Sequence, residues 1–315
     1  MSTRTRLWGM AVVLVAVGVC SLAHAQTETM VGVSGGAGGS PSNPGSYMLV
    51  DQTNATVTIL DAPFGGVGIT GVATHSTGRV FAVTSVANPD DTSHLIEIDP
   101  ITGALINDVG PMLDSSGNGC GVGDLSFQPG TDVLFGLAGN QSGVGIRCGI
   151  GSSTGGYLMT IDTSTAEYTI IGRDATFGND NGGITFAPDG TLYFTPAWSS
   201  LGTIYTLDPA NAGVLTSQAL AGGSGYMGLA ARPSDGTIFG SFRNYLSDPD
   251  IYTIDPATGV ETLVGSPGSI MVHDLAFVGD QLVISAVPTL SHWGRVAVVL
   301  MMAGIAVLVI RRRFS

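Results

Sequence analysis

Between residues 46 and 287 short apolar runs alternate with polar turns, and the runs fall into two kinds of hairpin that take turns along the chain. In the first kind an Asp closes the leading strand: VDQTNAT (50–56), IDPITGA (98–104), IDTSTAE (161–167), LDPANAG (207–213) and IDPATGV (254–260). Pro presets φ for the turn, Asp bonds the turn backbone, and Gly or Asn takes the left-handed position before the return strand. The second kind reads GVATHSTGRVFAV (71–83), DLSFQPGTDVLFGL (124–137), GITFAPDGTLYFT (183–195), GLAARPSDGTIFGS (228–241) and DLAFVGDQLVIS (274–285). Each of these is a short apolar strand, a polar glycine-containing turn, and a strand of aromatic or β-branched residues.

The turn aspartates at 51, 99, 162, 208 and 255 are spaced by 48, 63, 46 and 47 residues. Two hairpins per unit make four antiparallel strands, the content of one propeller blade. A β-sandwich of similar strands would need no repeating two-hairpin unit. Four units are complete from residue 66 onward, and the fifth has only its first hairpin, at 270–287. Its second hairpin is expected from SYMLVDQTNATVTILDA (46–62), so the strand at 46–54 should pair with one near 281–287. Joining the ends removes the open sheet edge. The expected fold is therefore all-β, a five-bladed β-propeller over 46–287. Residues 26–45, rich in Gly and Ser, read as a flexible lead-in.

Composition sharpens this picture. The 47 glycines and a charged content of 11% exclude a helical bundle and suit short strands joined by tight turns. All 24 acidic residues lie between Glu28 and Asp280, facing only five arginines (Arg79, Arg147, Arg173, Arg232, Arg243), and the chain has no lysine. Such a body repels nucleic acid, whose binding rests on Lys and Arg neutralising phosphate, and favours cations or neutral glycans.

The two ends carry delivery signals. Residues 1–25 run from basic Arg4 and Arg6 through an apolar stretch, Leu7 to Val19, to Ala23-His24-Ala25, which is the order of a cleavable signal peptide. Cys20 leaves with this leader. Near the other end stand Val287-Pro288-Thr289-Leu290-Ser291-His292-Trp293-Gly294, an apolar run at 296–310 and then Arg311-Arg312-Arg313. This order resembles the IPTL-CTERM protein-sorting signal, with Val287 in place of the family's Ile. The resemblance implies recognition of residues 287–315 by an exosortase-type membrane enzyme of a Gram-negative bacterium, processing near Pro288-Thr289, and transfer to the cell surface. On physical grounds the apolar run is a short transmembrane helix, extended by Trp293 and Arg295 on one side and by the arginine cluster on the cytoplasmic side. The body's repeats resemble secreted bacterial propeller repeats of the NHL, YVTN and quinoprotein-like groups, a likeness that implies architecture and little chemistry.

Candidate chemistry is sparse. The 63-residue spacing holds an insertion, NQSGVGIRCGIGSSTG (140–155), that carries Cys148, while Cys120 precedes the first strand of the same blade. Both fall on one face, so a disulfide is expected in an oxidising compartment, with metal binding by the pair the lesser alternative. Alignment of the innermost strands puts Asp124 and Asp274 where the other blades have Gly71, Gly183 and Gly228. These carboxyls either bond backbone amides of an adjacent strand or serve as a cation site or acid/base pair in a polysaccharide hydrolase or lyase. No cofactor is implied. Oxygen-rich loops at 86–94, 174–183 and 243–250 leave room for calcium, though none matches the D-x-[DN]-x-[DN]-G pattern. His75, His94 and His273 lack ligand spacing. The expected function is a surface-displayed binding module for a glycan or protein, with the hydrolase or lyase as alternative. With blade five split between its second and third strands, the chain should leave the ring on the insertion-bearing face.

Overall fold

The computed structural model describes residues 28–35, 43–86, 92–138, 148, 156–173, 182–197, 202–223, 225–242 and 250–279. Among the described residues twenty strands form five antiparallel four-stranded sheets. Three strands come first: β1 (Thr29–Val33), β2 (Tyr47–Val50) and β3 (Val57–Asp61). Blade one is β4 (Ile69–Thr74), β5 (Val80–Thr84), β6 (His94–Ile98) and β7 (Leu105–Pro111), and blade two is β8 (Val122–Phe127), β9 (Leu134–Ala138), β10 (Tyr157–Ile161) and β11 (Tyr168–Gly172). Blade three comprises β12 (Gly182–Phe186), β13 (Leu192–Pro196), β14 (Thr203–Leu207) and β15 (Val214–Ala219). Blade four comprises β16 (Tyr226–Ala231), β17 (Ile238–Phe242), β18 (Ile251–Ile254) and β19 (Glu261–Gly265), and β20 (Asp274–Val278) ends the described chain. The inner strands β4, β8, β12, β16 and β20 neighbour one another in that order and β20 returns to β4, so the sheets close into a five-bladed propeller.

The expected turn chemistry operates in each blade. Asp51 Oδ1 accepts the Thr53 amide at 2.7 Å, and Asp99, Asp162, Asp208 and Asp255 repeat that bond at 2.7–2.9 Å. The left-handed residue that follows is Gly103 or Gly259 in two turns but Ala55, Ala166 and Ala212 in three. Sterics decide between them. A Cβ at Gly259 would lie 1.9 Å from the Ala219 carbonyl oxygen, whereas the three alanine methyls are buried in the clusters between blades. That burial offsets the cost of a non-glycine residue at positive φ.

The core lies between blades. Strands alternate side chains to the two sheet faces, and both faces are covered by neighbouring blades. In β1, Met30 packs toward blade four while Val31 and Val33 pack toward blade one.

Ring closure differs from the sequence expectation. Residues 29–33 are not lead-in: β1 pairs with β20 (Val31 opposite Ala276) and with β2 (Val31 opposite Leu49). The closing blade is thus β20-β1-β2-β3, one strand from the C-terminal part and three from the N-terminal part. Tyr47–Val50 pairs with β1 and β3, and 281–287 lies outside the described residues. The strand pattern in TMVGV is only five residues long and sits among glycines, so composition hides it.

Closure by β1 brings the two ends of the described chain together. Glu28 and Gly279 lie beside the short β4–β5-type turns, because Thr29 lies opposite Val278. Glu28 is fastened there: its carbonyl accepts from Gln52 Nε2 and its carboxylate from Ser234 Oγ at 2.6 Å. This turn face is opposite the face that bears the Cys148 insertion; the closing blade is split after its first strand rather than its second, and the expected exit near 285–287 lies outside the described residues. Among the described residues no helix is long and apolar enough to cross a membrane, and the expected span at 296–310 lies outside them.

Val31→Asp should remove about 3 kcal/mol of stability in urea unfolding by burying an unpaired carboxylate, whereas Thr58→Asp on exposed β3 should cost under about 0.5 kcal/mol. Equal effects would mean that β1 does not close the ring.

Candidate functional site

Propeller inner strands converge on the axis without a shared main-chain ladder, so side chains must serve the backbone groups that face across the gap. Asp124 and Asp274 do this for two of the five inner strands. Asp124 Oδ2 accepts the Ile184 amide of the next inner strand at 2.7 Å, and its Oδ1 accepts its neighbour Leu125 at 2.6 Å. Asp274 repeats the arrangement with Val72 and Leu275, both at 2.7 Å. Where the other blades carry glycine, no side chain fits: a Cβ on Gly228 would stand 2.5 Å from the Asp274 Cα, and one on Gly71 2.9 Å from the Asp124 Cα. Hydroxyls continue the stitching. Ser126 Oγ accepts from Phe186, Thr185 Oγ1 accepts from Ala231, and Thr70 Oγ1 donates to the Val122 carbonyl.

Both carboxyls are completely buried. Burial pushes Asp124 well above the usual carboxylate range, reinforced by the neighbouring Asp274 carboxyl, and holds Asp274 at about 7 despite its bond from Asp124 and its two amide donors. Buried side by side, both carboxyls favour their protonated forms. They are a structural latch, with no solvent-facing oxygen to offer a substrate.

The expected disulfide is present. Cys120 and Cys148 are bonded, their Cα atoms 4.3 Å apart, and Cys120 is held at the base by the Thr92 hydroxyl, which accepts its amide at 2.9 Å. The rest of the 140–155 insertion lies outside the described residues. The histidines are dispersed: His75 stands 3.7 Å from Asp132, His94 3.0 Å from Asp108, and His273 Nδ1 bonds the Thr70 carbonyl. Among the described residues no group of three His, Cys, Asp or Glu side chains could hold a metal ion, and most of the oxygen-rich loops proposed for calcium fall outside them.

One feature escaped the sequence reading. At the turn-face mouth of the channel opens a cavity of about 340 Å³, walled by Leu125, Phe127, Pro129, Phe186, Pro188 and Leu229. Thr74, Ser126 and Thr185 also line it. It sits where inner strands carry small residues two positions beyond the Gly/Asp level: Ala73, Ser126, Thr185, Ala230 and Ala276.

No family model matches the sequence, and no curated protein matches it. Among solved structures, a putative gluconolactonase is similar at 13% identity over 78% of this chain and 80% of that one, with TM-score 0.46. A calcium-binding regucalcin from Agrobacterium tumefaciens is 16% identical over 79% of each chain, with TM-score 0.44. TolB from Acinetobacter baumannii is 17% identical over 76% of this chain, with TM-score 0.43. The chain spans about half the length of TolB (53%) and of a hydrazine synthase from Kuenenia stuttgartiensis (48%), which it also resembles. The class defined by the coordinates is the five-bladed β-propeller.

The folded protein binds the carboxyl proton more tightly than the unfolded chain does. The stability it confers is therefore complete below about pH 4 and is lost as pH rises through about 7. Asp274→Asn should reduce that loss in unfolding measured from pH 4 to 8, leaving the part carried by buried Asp124, while lowering acid-side stability by about 1–3 kcal/mol, since an amide nitrogen would face one backbone donor. Replacing Cys120 and Cys148 with Ser should cost about 3–4 kcal/mol in denaturant unfolding, the chain-entropy value for a 28-residue separation.

Proposed function

We propose that this chain is an exported β-propeller displayed at the envelope of a Gram-negative bacterium, and that it binds a glycan or protein partner without catalysing a reaction. The burial of Asp124 and Asp274 is the observation that carries the non-catalytic half. An acid/base pair must come within hydrogen-bond reach of its substrate, and these two carboxyls are spent on backbone amides. The reading as a polysaccharide hydrolase or lyase loses its only named acids.

Export is supported by the leader at 1–25, by the IPTL-like tail at 287–315 and by a disulfide of the kind that persists outside the reducing cytosol. In this reading an exosortase-type enzyme recognises Val287, Pro288, Thr289, Leu290, Trp293 and Gly294, and the helix at 296–310 with Arg311, Arg312 and Arg313 holds the chain in the inner membrane until processing. Since the described chain leaves at Gly279, few residues separate the turn face from the sorting motif. A tether this short turns the turn face toward the membrane and the insertion-bearing face outward.

The test is the double substitution Pro288→Ala and Thr289→Ala in the native host, followed by fractionation and immunoblotting. The natural chain should appear shortened at the cell surface, and the variant should accumulate uncut in the inner membrane. Identical size and distribution of the two would refute delivery by this tail.

A further inference from the structure

The turn-face cavity is used by neither the carboxyl latch nor the disulfide. Its volume, about 340 Å³, falls at the lower end of the range for small-molecule pockets and suits one substituted ring better than an extended chain. The walls are apolar, but three hydroxyl-bearing residues stand among them. Thr74 Oγ1 is buried and has no hydrogen-bond partner. Ser126 and Thr185, 8% and 4% exposed, accept the Phe186 and Ala231 amides, and among the described residues neither hydroxyl donates a bond. Each therefore retains an O–H for a ligand acceptor. An unpaired buried hydroxyl is costly, and a ligand oxygen recovers that cost.

Charge narrows the ligand. Asp132 is the charged side chain among the lining residues, and it is engaged by Ser76 Oγ at 2.7 Å with His75 3.7 Å away. An anion finds no cation in this wall. A divalent ion finds one carboxylate where it needs several oxygens. A purely apolar molecule would leave the Thr74 hydroxyl orphaned. What remains is an uncharged ring with apolar faces and several acceptor oxygens.

We infer that the turn-face cavity binds one neutral sugar unit, its ring against Phe127 and the rim prolines and its oxygens accepting from Thr74, Ser126 and Thr185. This rests on the reading of the chain as a non-catalytic binding module and assigns that module a site. The site lies on the face opposite the Cys148 insertion, on the side where the chain leaves the ring.

The experiment titrates the detergent-solubilised full chain with methyl glucoside, methyl galactoside and methyl mannoside. Binding is read by calorimetry and ligand-observed NMR, with cyclohexanol and benzoate as ring controls. At least one glycoside should saturate the protein in the millimolar range or below, and the controls should not. Thr74→Val keeps the shape and removes the donor, so affinity should fall about tenfold, the value of one hydrogen bond. Ala231→Met fills the cavity and should abolish binding, with unfolding midpoints showing that both variants fold. Failure of every glycoside to bind, binding of cyclohexanol as tight as that of the glycosides, or unchanged affinity in both variants would overturn the site. Sugar binding that survives both variants leaves the binding-module reading intact and moves the site elsewhere. Release of methanol from a bound glycoside overturns the non-catalytic reading instead.

Discussion

Five inner strands meet at the axis, too close for side chains at three of the five equivalent positions and too divergent to share a main-chain ladder. The structure depends on how backbone donors at that level are satisfied. Asp124 and Asp274 reach sideways to the Ile184 and Val72 amides, and Gly71, Gly183 and Gly228 leave the clearance that lets adjacent strands approach. Because both carboxyls then lie out of water, burial favours their protonated forms. Main-chain satisfaction and the withdrawal of Asp124 and Asp274 from solvent both follow from this one geometry.

The blades were legible in the sequence because their turn chemistry is local. The Asp at 51, 99, 162, 208 and 255 bonds the amide two residues on in every copy, and that requirement survives divergence elsewhere. Closure was legible as a need but not in its detail. The segment LVIS at 282–285 fits the second-strand pattern of the other blades better than TMVGV at 29–33 does. What distinguishes β1 is tertiary: Met30, Val31 and Val33 alternate between two blades that lie far away in sequence. Propensity is a weak guide when packing decides.

The site was legible in part. Aligning repeats brought Asp124 and Asp274 to one level, and the pairing of Cys120 with Cys148 followed from which loops share a face. The turn-face cavity left no such mark, since it is made by small side chains and by what they fail to fill. Thr74 reads as one more β-branched strand residue until its neighbours are known to offer its hydroxyl nothing.

Lacing β1 between β20 and β2 makes the fold a check on its own completeness. The first strand of the ring has its inner partner in the last, nearly the whole described chain away, so closure carries a large loop entropy and comes late. A chain truncated anywhere before Asp274 leaves β1 without its inner partner and the ring with a bare edge, open to proteases and to pairing with other chains. Only a full-length body conceals both. Intactness at the far end is thereby reported at the near one.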